Sequence, residues 1–222
     1  MAETWVVTGA NRGIGLEFAR QLVARGATVF ATHRAGADIE ALRATGAACA
    51  ELDVRDDASV AAFAKALARP IDVLVNNAGR QYRVDTLDEL DFAELADTFE
   101  VNAFGPLRVT RALLPQLLTG RLRRVLFLSS RMGSFGEFEP GRNMYGYRGS
   151  KAALNMFFRG MSDELGRKGI TCVNLHPGWV RTDMGGAEAR LSPEESVESM
   201  LAVATHAPHG VFITETGAEL PW

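Results

Sequence analysis

Cysteine is scarce: the 222-residue chain holds two, Cys49 and Cys172. Two thiols cannot build a disulfide framework, so a reducing, cytoplasmic setting is expected. Both fall in apolar runs and read as small buried hydrophobes rather than nucleophiles. Long hydrophobic runs are missing as well. None approaches the ~18 residues needed to cross a bilayer. The opening Met1-Ala2-Glu3-Thr4 lacks the basic region and apolar stretch of a secretory signal. Charge of one sign is also lacking: the formal net charge is −3, which gives no general attraction for nucleic acid or anionic membrane. His33 and His176 have no His, Cys or Asp companions at ligand spacing, so no metal is expected. No linker, repeat or low-complexity segment divides the chain, and residues 1–222 read as a single domain.

What is present is an ordinary globular balance, 47% hydrophobic and 23% charged, with 22 glycines that imply many tight turns. Short apolar runs recur at 4–8, 28–32, 47–52, 71–75, 125–129, 170–175 and 211–213. Their brevity and their Val, Ile and Phe content suit strands buried on both faces. Amphipathic stretches lie between them. Ile14, Phe18 and Leu22 recur every four residues ahead of a Gly26 stop. A longer stretch, 91–118, carries Pro115, which should kink or end its helix. Ser192-Pro193-Glu194-Glu195 is a capping box. Residues 131–143 are glycine-rich and aperiodic, and read as a loop. The alternation predicts an α/β fold: a doubly wound (Rossmann) parallel sheet of about seven strands, with helices on both faces.

The first run leads into Thr8-Gly9-Ala10-Asn11-Arg12-Gly13-Ile14-Gly15, immediately before a helix. Glycines there allow a tight turn and close approach of a diphosphate, and the helix adds free N–H groups and its positive dipole end. Open parallel sheets bind ligands beyond the carboxyl ends of their strands. On that edge the later strands place Arg34, Asp53, Asn76-Asn77-Ala78-Gly79, Ser129-Ser130 and Pro177-Gly178. Tyr147 and Lys151, four residues apart, project from one face of a predicted helix. An ammonium there is expected to lower the pKa of the phenol and fit it for acid–base work. The bland alternative is a packed ring beside an exposed amine. Phe135, Phe138, Met144, Trp179 and Met184 lie on flanking loops, where they either wall an apolar substrate or pack.

These residues resemble the short-chain dehydrogenase/reductase family. The matching motifs are Thr8-Gly9-(x3)-Gly13-Ile14-Gly15, Asp53-Val54, Asn76-Asn77-Ala78-Gly79, Asn102 in Val101-Asn102-Ala103-Phe104-Gly105, Ser129-Ser130, Tyr147-(x3)-Lys151, and Pro177-Gly178 with Thr182 downstream. They stand in family order along nearly the whole chain. The segments around Ser129, Tyr147 and His176 are similar to the branch of C-factor-like proteins and sniffer-type carbonyl reductases.

The resemblance implies Tyr147 as acid–base residue, Lys151 lowering its pKa and holding the nicotinamide ribose, and Ser130 orienting a carbonyl. It implies Asn102 on a water-linked proton path to Lys151. For the cofactor it implies the turn Gly9, Asn11, Arg12, Gly13, Ile14 and Gly15, then Asp53 and Val54 beside the adenine, and Asn77, Ala78 and Gly79 at the ribose side. Pro177, Gly178, Val180 and Thr182 would frame the nicotinamide. The segment from Ser130 to Tyr147 is longer than the family's usual spacing, leaving Ser134 as a rival serine, and the segment from Thr182 to Ser192 is short. The second strand ends Thr32-His33-Arg34 without a carboxylate. Arg34 and Arg12 could instead pair with a 2′-phosphate, which favours NADP(H) over NAD(H). The expected activity interconverts a small-molecule carbonyl and its alcohol. The alternative is an NADP(H)-binding signalling or regulatory protein on the same fold. The family implies a homodimer or homotetramer joined along the helices at 91–118 and 149–168.

Overall fold

The computed structural model describes residues 2–222. All seven apolar runs are strands: β1 (Thr4–Val7), β2 (Thr28–His33), β3 (Ala48–Glu51), β4 (Val73–Asn76), β5 (Arg124–Leu128), β6 (Thr171–His176) and β7 (Val211–Thr214). They form one parallel sheet in the order β3-β2-β1-β4-β5-β6-β7. The order reverses between β1 and β4, and that switch opens a crevice at the carboxyl ends of the strands.

Alternation along the strands divides the core. Trp5 and Val7 face one layer, with Phe18 and Leu22 of α1 (Gly13–Ala24) and Val197 and Leu201 of α8 (Pro193–Ala204). Val6 faces the other, with Val60 and Phe63 of α3 (Asp57–Ala66) and Leu154 and Phe158 of α7 (Tyr145–Arg167). The short α2 (Glu40–Ala44) links β2 to β3. Burying side chains such as Phe18, Phe127 and Phe158 contributes about 1.5–3 kcal/mol each. The capping box forms as expected: the Ser192 hydroxyl accepts from Glu195 N at 3.1 Å, and the Glu195 carboxylate accepts from Ser192 N at 2.7 Å.

The stretch 91–118 is not one helix with a kink at Pro115. It comprises α4 (Phe92–Phe99), a π-helical segment (Glu100–Phe104), α5 (Gly105–Ala112) and α6 (Leu114–Thr119). The break falls at Leu113, and Pro115 sits in the first turn of α6, where a missing N–H costs nothing. The π segment carries Asn102, and such bulges often mark functional positions. Residues 131–143 are mostly loop, opening with a 3₁₀ turn (Arg131–Gly133). Among the described residues no helix is long and apolar enough to cross a membrane.

Candidate active site

The crevice is a cleft of about 1270 Å³. Its floor is the glycine turn. Gly9 (φ +63) and Gly13 (φ +56) hold left-handed conformations that side chains disfavour. A Cβ on Gly9 would stand 2.9 Å from the Ala78 Cα, and one on Gly15 would strike the Asn77 amide. Asn77 locks the two turns across the switch point. Its Nδ2 donates to Thr8 O at 2.7 Å and Gly9 O at 3.0 Å, while Thr8 Oγ1 accepts from Asn77 N and Ala78 N. No side chain caps the start of α1, so its first N–H groups are left for a ligand, and Gly13, Ile14 and Gly15 line the cleft.

Asn11, Arg12 and Arg34 share this end of the cleft with Asp53 and Val54. Arg34 is exposed and makes no salt bridge among the described residues, although its charge helps to lower the Asp53 carboxyl. Arg12 does: its Nη1 donates to Asp183 Oδ2 at 2.7 Å, reaching from the glycine turn to the loop after β6. Asp53 takes the Arg55 guanidinium at 2.7 Å, which holds its carboxyl below the usual carboxylate range. Arg55 continues to Asp97, which also receives Arg80.

At the other end stands the first turn of α7. Tyr147 and Lys151 both line the cleft, one turn apart, with the Lys151 Nζ 5.8 Å from the centre of the Tyr147 ring. Ser130 lies two residues past the end of β5, caps the 3₁₀ turn and hydrogen-bonds the Tyr147 phenol. Its Oγ accepts from Met132 N at 3.1 Å, which leaves its proton free to donate into the site. The expected balance of charges differs in the structure. Lys151 is buried, and its Nζ donates to Leu128 O at 2.7 Å. Burial pushes its pKa down to about 8. Burial likewise raises the Tyr147 phenol, and only the Ser130 hydroxyl pulls it lower. Desolvation therefore outweighs the cation in this state.

Asn102 does not touch Lys151 directly. Its Oδ1 accepts from Arg80 N at 2.8 Å, and its Nδ2 donates to Arg80 O at 2.8 Å and Ser150 Oγ at 2.9 Å. Gly79 lies between them: a Cβ there would sit 3.5 Å from Asn102 Oδ1 and 4.0 Å from Lys151 Nζ. Pro177 and Thr182 reach the cleft wall. Gly178 (φ +81) is turned toward Leu191 and Glu215, and Val180 is buried in a bridge to Leu191, so these two support the wall from behind. Ser134 caps its own turn by accepting from Glu137 N at 3.2 Å.

Several wall residues carry no signal of their own in the sequence. Arg80 and Arg83 could be sought just past Asn76-Asn77-Ala78-Gly79, yet nothing local shows that Arg83 reaches the Met184 carbonyl. Asp97 reads as a surface position of a helix until Arg55 and Arg80 converge on it. His176, buried with its pKa pushed down to about 4 chiefly by burial, stays neutral at physiological pH. Among the described residues no three His, Cys, Asp or Glu side chains gather as a metal site.

An uncapped helix at a glycine turn, a sheet reversal and a tyrosine–lysine pair across the same crevice together describe a dinucleotide-type oxidoreductase site. The chain belongs to the short chain dehydrogenase family, whose model matches residues 3–191. It is 50% identical to the C-signal of Myxococcus xanthus over 156 residues, 69% of this chain and 93% of that one. Solved structures also superpose over all of it, among them two carbonyl reductases. One is the NADPH-bound carbonyl reductase from chicken fatty liver, with 32% identity, TM-score 0.91 and 94% of its chain covered. The other is the carbonyl reductase Sniffer of D. melanogaster, with 28% identity, TM-score 0.93 and 100% covered.

Proposed function

We propose that this protein is an NADP(H)-dependent oxidoreductase that interconverts a carbonyl compound (an aldehyde, ketone or quinone) and its alcohol. The observation that carries the reading is that Tyr147 and Lys151 line one end of a cleft, with the Ser130 hydroxyl hydrogen-bonded to the phenol, while the other end is an uncapped, glycine-lined helix start. The glycine cradle is the fit test for a dinucleotide, since a Cβ at Gly9 or Gly15 would fill the space against Ala78 and Asn77. Arg34 and Arg12 offer guanidinium groups to a 2′-phosphate. The likeness to an NADPH-bound carbonyl reductase supports the same cofactor and substrate class.

The nicotinamide, when bound, supplies or accepts the hydride. Tyr147 then gives its phenolic proton to the carbonyl oxygen in reduction and takes it back in oxidation. Its raised pKa keeps that proton in place at neutral pH. Ser130, anchored by Met132 N, turns its O–H toward the same oxygen and stabilises developing charge there. Lys151, held on Leu128 O, would hold the ribose hydroxyls of a bound nicotinamide cofactor and bring its charge to bear on the phenol. Asn102 holds the Arg80 peptide, keeps one Oδ1 lone pair spare, and supports a water-linked path past Gly79 to Lys151.

The likeness to C-signal favours a second reading, an NADP(H)-binding signalling protein on this fold. Purified protein incubated with NADPH and a panel of aldehydes, ketones and quinones separates the two. Oxidation of NADPH supports the enzyme, whereas cofactor binding without oxidation on any member supports the sensor. Two free cysteines support a reducing, cytoplasmic compartment. Exposed Phe92, Phe104 and Met156 support homodimer or homotetramer formation along α4, the π-helical segment and α7.

A further inference from the structure

We propose that Asn155 is a positioning residue that fixes the separation between Ser130 and Tyr147. The inference rests on the roles given to those two residues above. Asn155 lies on α7 one turn beyond Lys151 and two beyond Tyr147, is buried, and holds both ends of the segment that carries Ser130. Its Oδ1 accepts from Ser129 Oγ at 2.6 Å, the residue before Ser130. Its Nδ2 donates to Gly133 O at 3.1 Å, the last residue of the 3₁₀ turn that the Ser130 hydroxyl caps. The same Oδ1 accepts from Asn174 Nδ2 at 2.8 Å, which ties in β6 three residues before Pro177.

Packing leaves this segment no other seat. A Cβ on Gly133 would lie 2.6 Å from the Lys151 carbonyl carbon and 2.8 Å from Ala152 N, so the turn rests directly on the α7 backbone. Ser130 is thus fastened on either side to the helix that presents Tyr147, and one amide makes both attachments. Buried hydrogen bonds of this kind are costly to leave half made, which favours a single arrangement over a range of them. A leucine, of similar bulk, would occupy the space without specifying the arrangement.

The test uses the whole protein and two readouts. The first is the ultraviolet titration of Tyr147, isolated by subtracting the Tyr147→Phe curve from that of the parent, since the chain has three tyrosines. Lys151 and Ser130 are the polar groups facing this phenol, and Ser130 is the one that lowers it. Asn155→Ala should move the Tyr147 midpoint to higher pH by ~0.5 unit or more. The second readout is turnover of a carbonyl accepted in the panel, where kcat should fall about 10- to 100-fold with the NADPH Kd unchanged. Ser129→Ala, a smaller change that removes one attachment, should shift both in the same direction by less, and it decides the matter if Asn155→Ala does not fold. Folded variants with the parent's midpoint and kcat would overturn the proposal. So would activity lost only in proportion to stability with Ser129→Ala unchanged. If Tyr147→Phe turned over like the parent, the proton-donor role would fail, while the titration would still report on Asn155.

Discussion

The Lys151 ammonium donates to the Leu128 carbonyl at 2.7 Å, at the point where β5 passes the chain to Ser129 and Ser130. The cation is therefore stored against the sheet edge. It lies 5.8 Å from the Tyr147 ring centre, and burial of both groups dominates their ionisation.

Storing a charge there has a consequence for stability. The Lys151 pKa falls from an ordinary 10.5 to about 8. Below pH 8 both native and unfolded chains hold the proton, and the native state bears the cost of a buried charge. Between about 8 and 10.5 the unfolded chain binds one more proton than the native one, so stability rises with pH, by on the order of 3 kcal/mol across the window. Lys151→Met should remove that rise. Denaturant unfolding of parent and variant at pH 7.5 and 9.5 reads the difference, in which other titrating groups cancel. Equal pH slopes would contradict it.

Cofactor preference should depend on Arg12 and Arg34, and on Asp183 as a competitor. Reversing both arginines (Arg12→Glu with Arg34→Glu) should weaken NADPH binding by ~100-fold or more and leave NADH little changed. Asp183→Asn frees Arg12 from its carboxylate partner. It should tighten NADPH a few-fold, the modest size expected of an exposed ion pair, with no gain for NADH. Fluorescence titration of each cofactor measures these ratios. An NADPH preference that survives the double reversal would refute the assignment.

The strands were legible because parallel strands buried on both faces must be short and continuously apolar, a rule the inner strands obey, whereas the edge strand β3 has no buried residue and runs through to the exposed Glu51. The chemistry-bearing strand ends were legible for the same reason. The bulge at 100–104 was not, since its extra residue answers to contacts Asn102 makes with Arg80 and Ser150, 22 and 48 residues away. The Arg12–Asp183 pair spans 171 residues, beyond any local pattern. The spacing of Tyr147 and Lys151 could be read directly, whereas the balance between burial and charge at that pair required knowing how deeply both are enclosed.

The layer beneath the active site should be intolerant of voids. Phe158 is fully buried, with its ring edge-on to Phe127 at 5.5 Å and stacked on Trp222 at 5.6 Å. Phe158→Ala should cost about 3–5 kcal/mol, read as a lower denaturant midpoint. A loss below ~1 kcal/mol would show that the site collapses around the deletion.

Hydride and proton must meet on one substrate. The most direct measurement follows deuterium from NADPH carrying it at both C4 positions into the product of an accepted aldehyde or ketone, for the parent and for Tyr147→Phe. The expected result is one deuterium on the carbinol carbon with the parent, and a rate lowered ~10²- to 10⁴-fold with the variant while NADPH still binds. Bound NADPH with no deuterium in any product, or a variant as fast as the parent, would contradict the proposed chemistry.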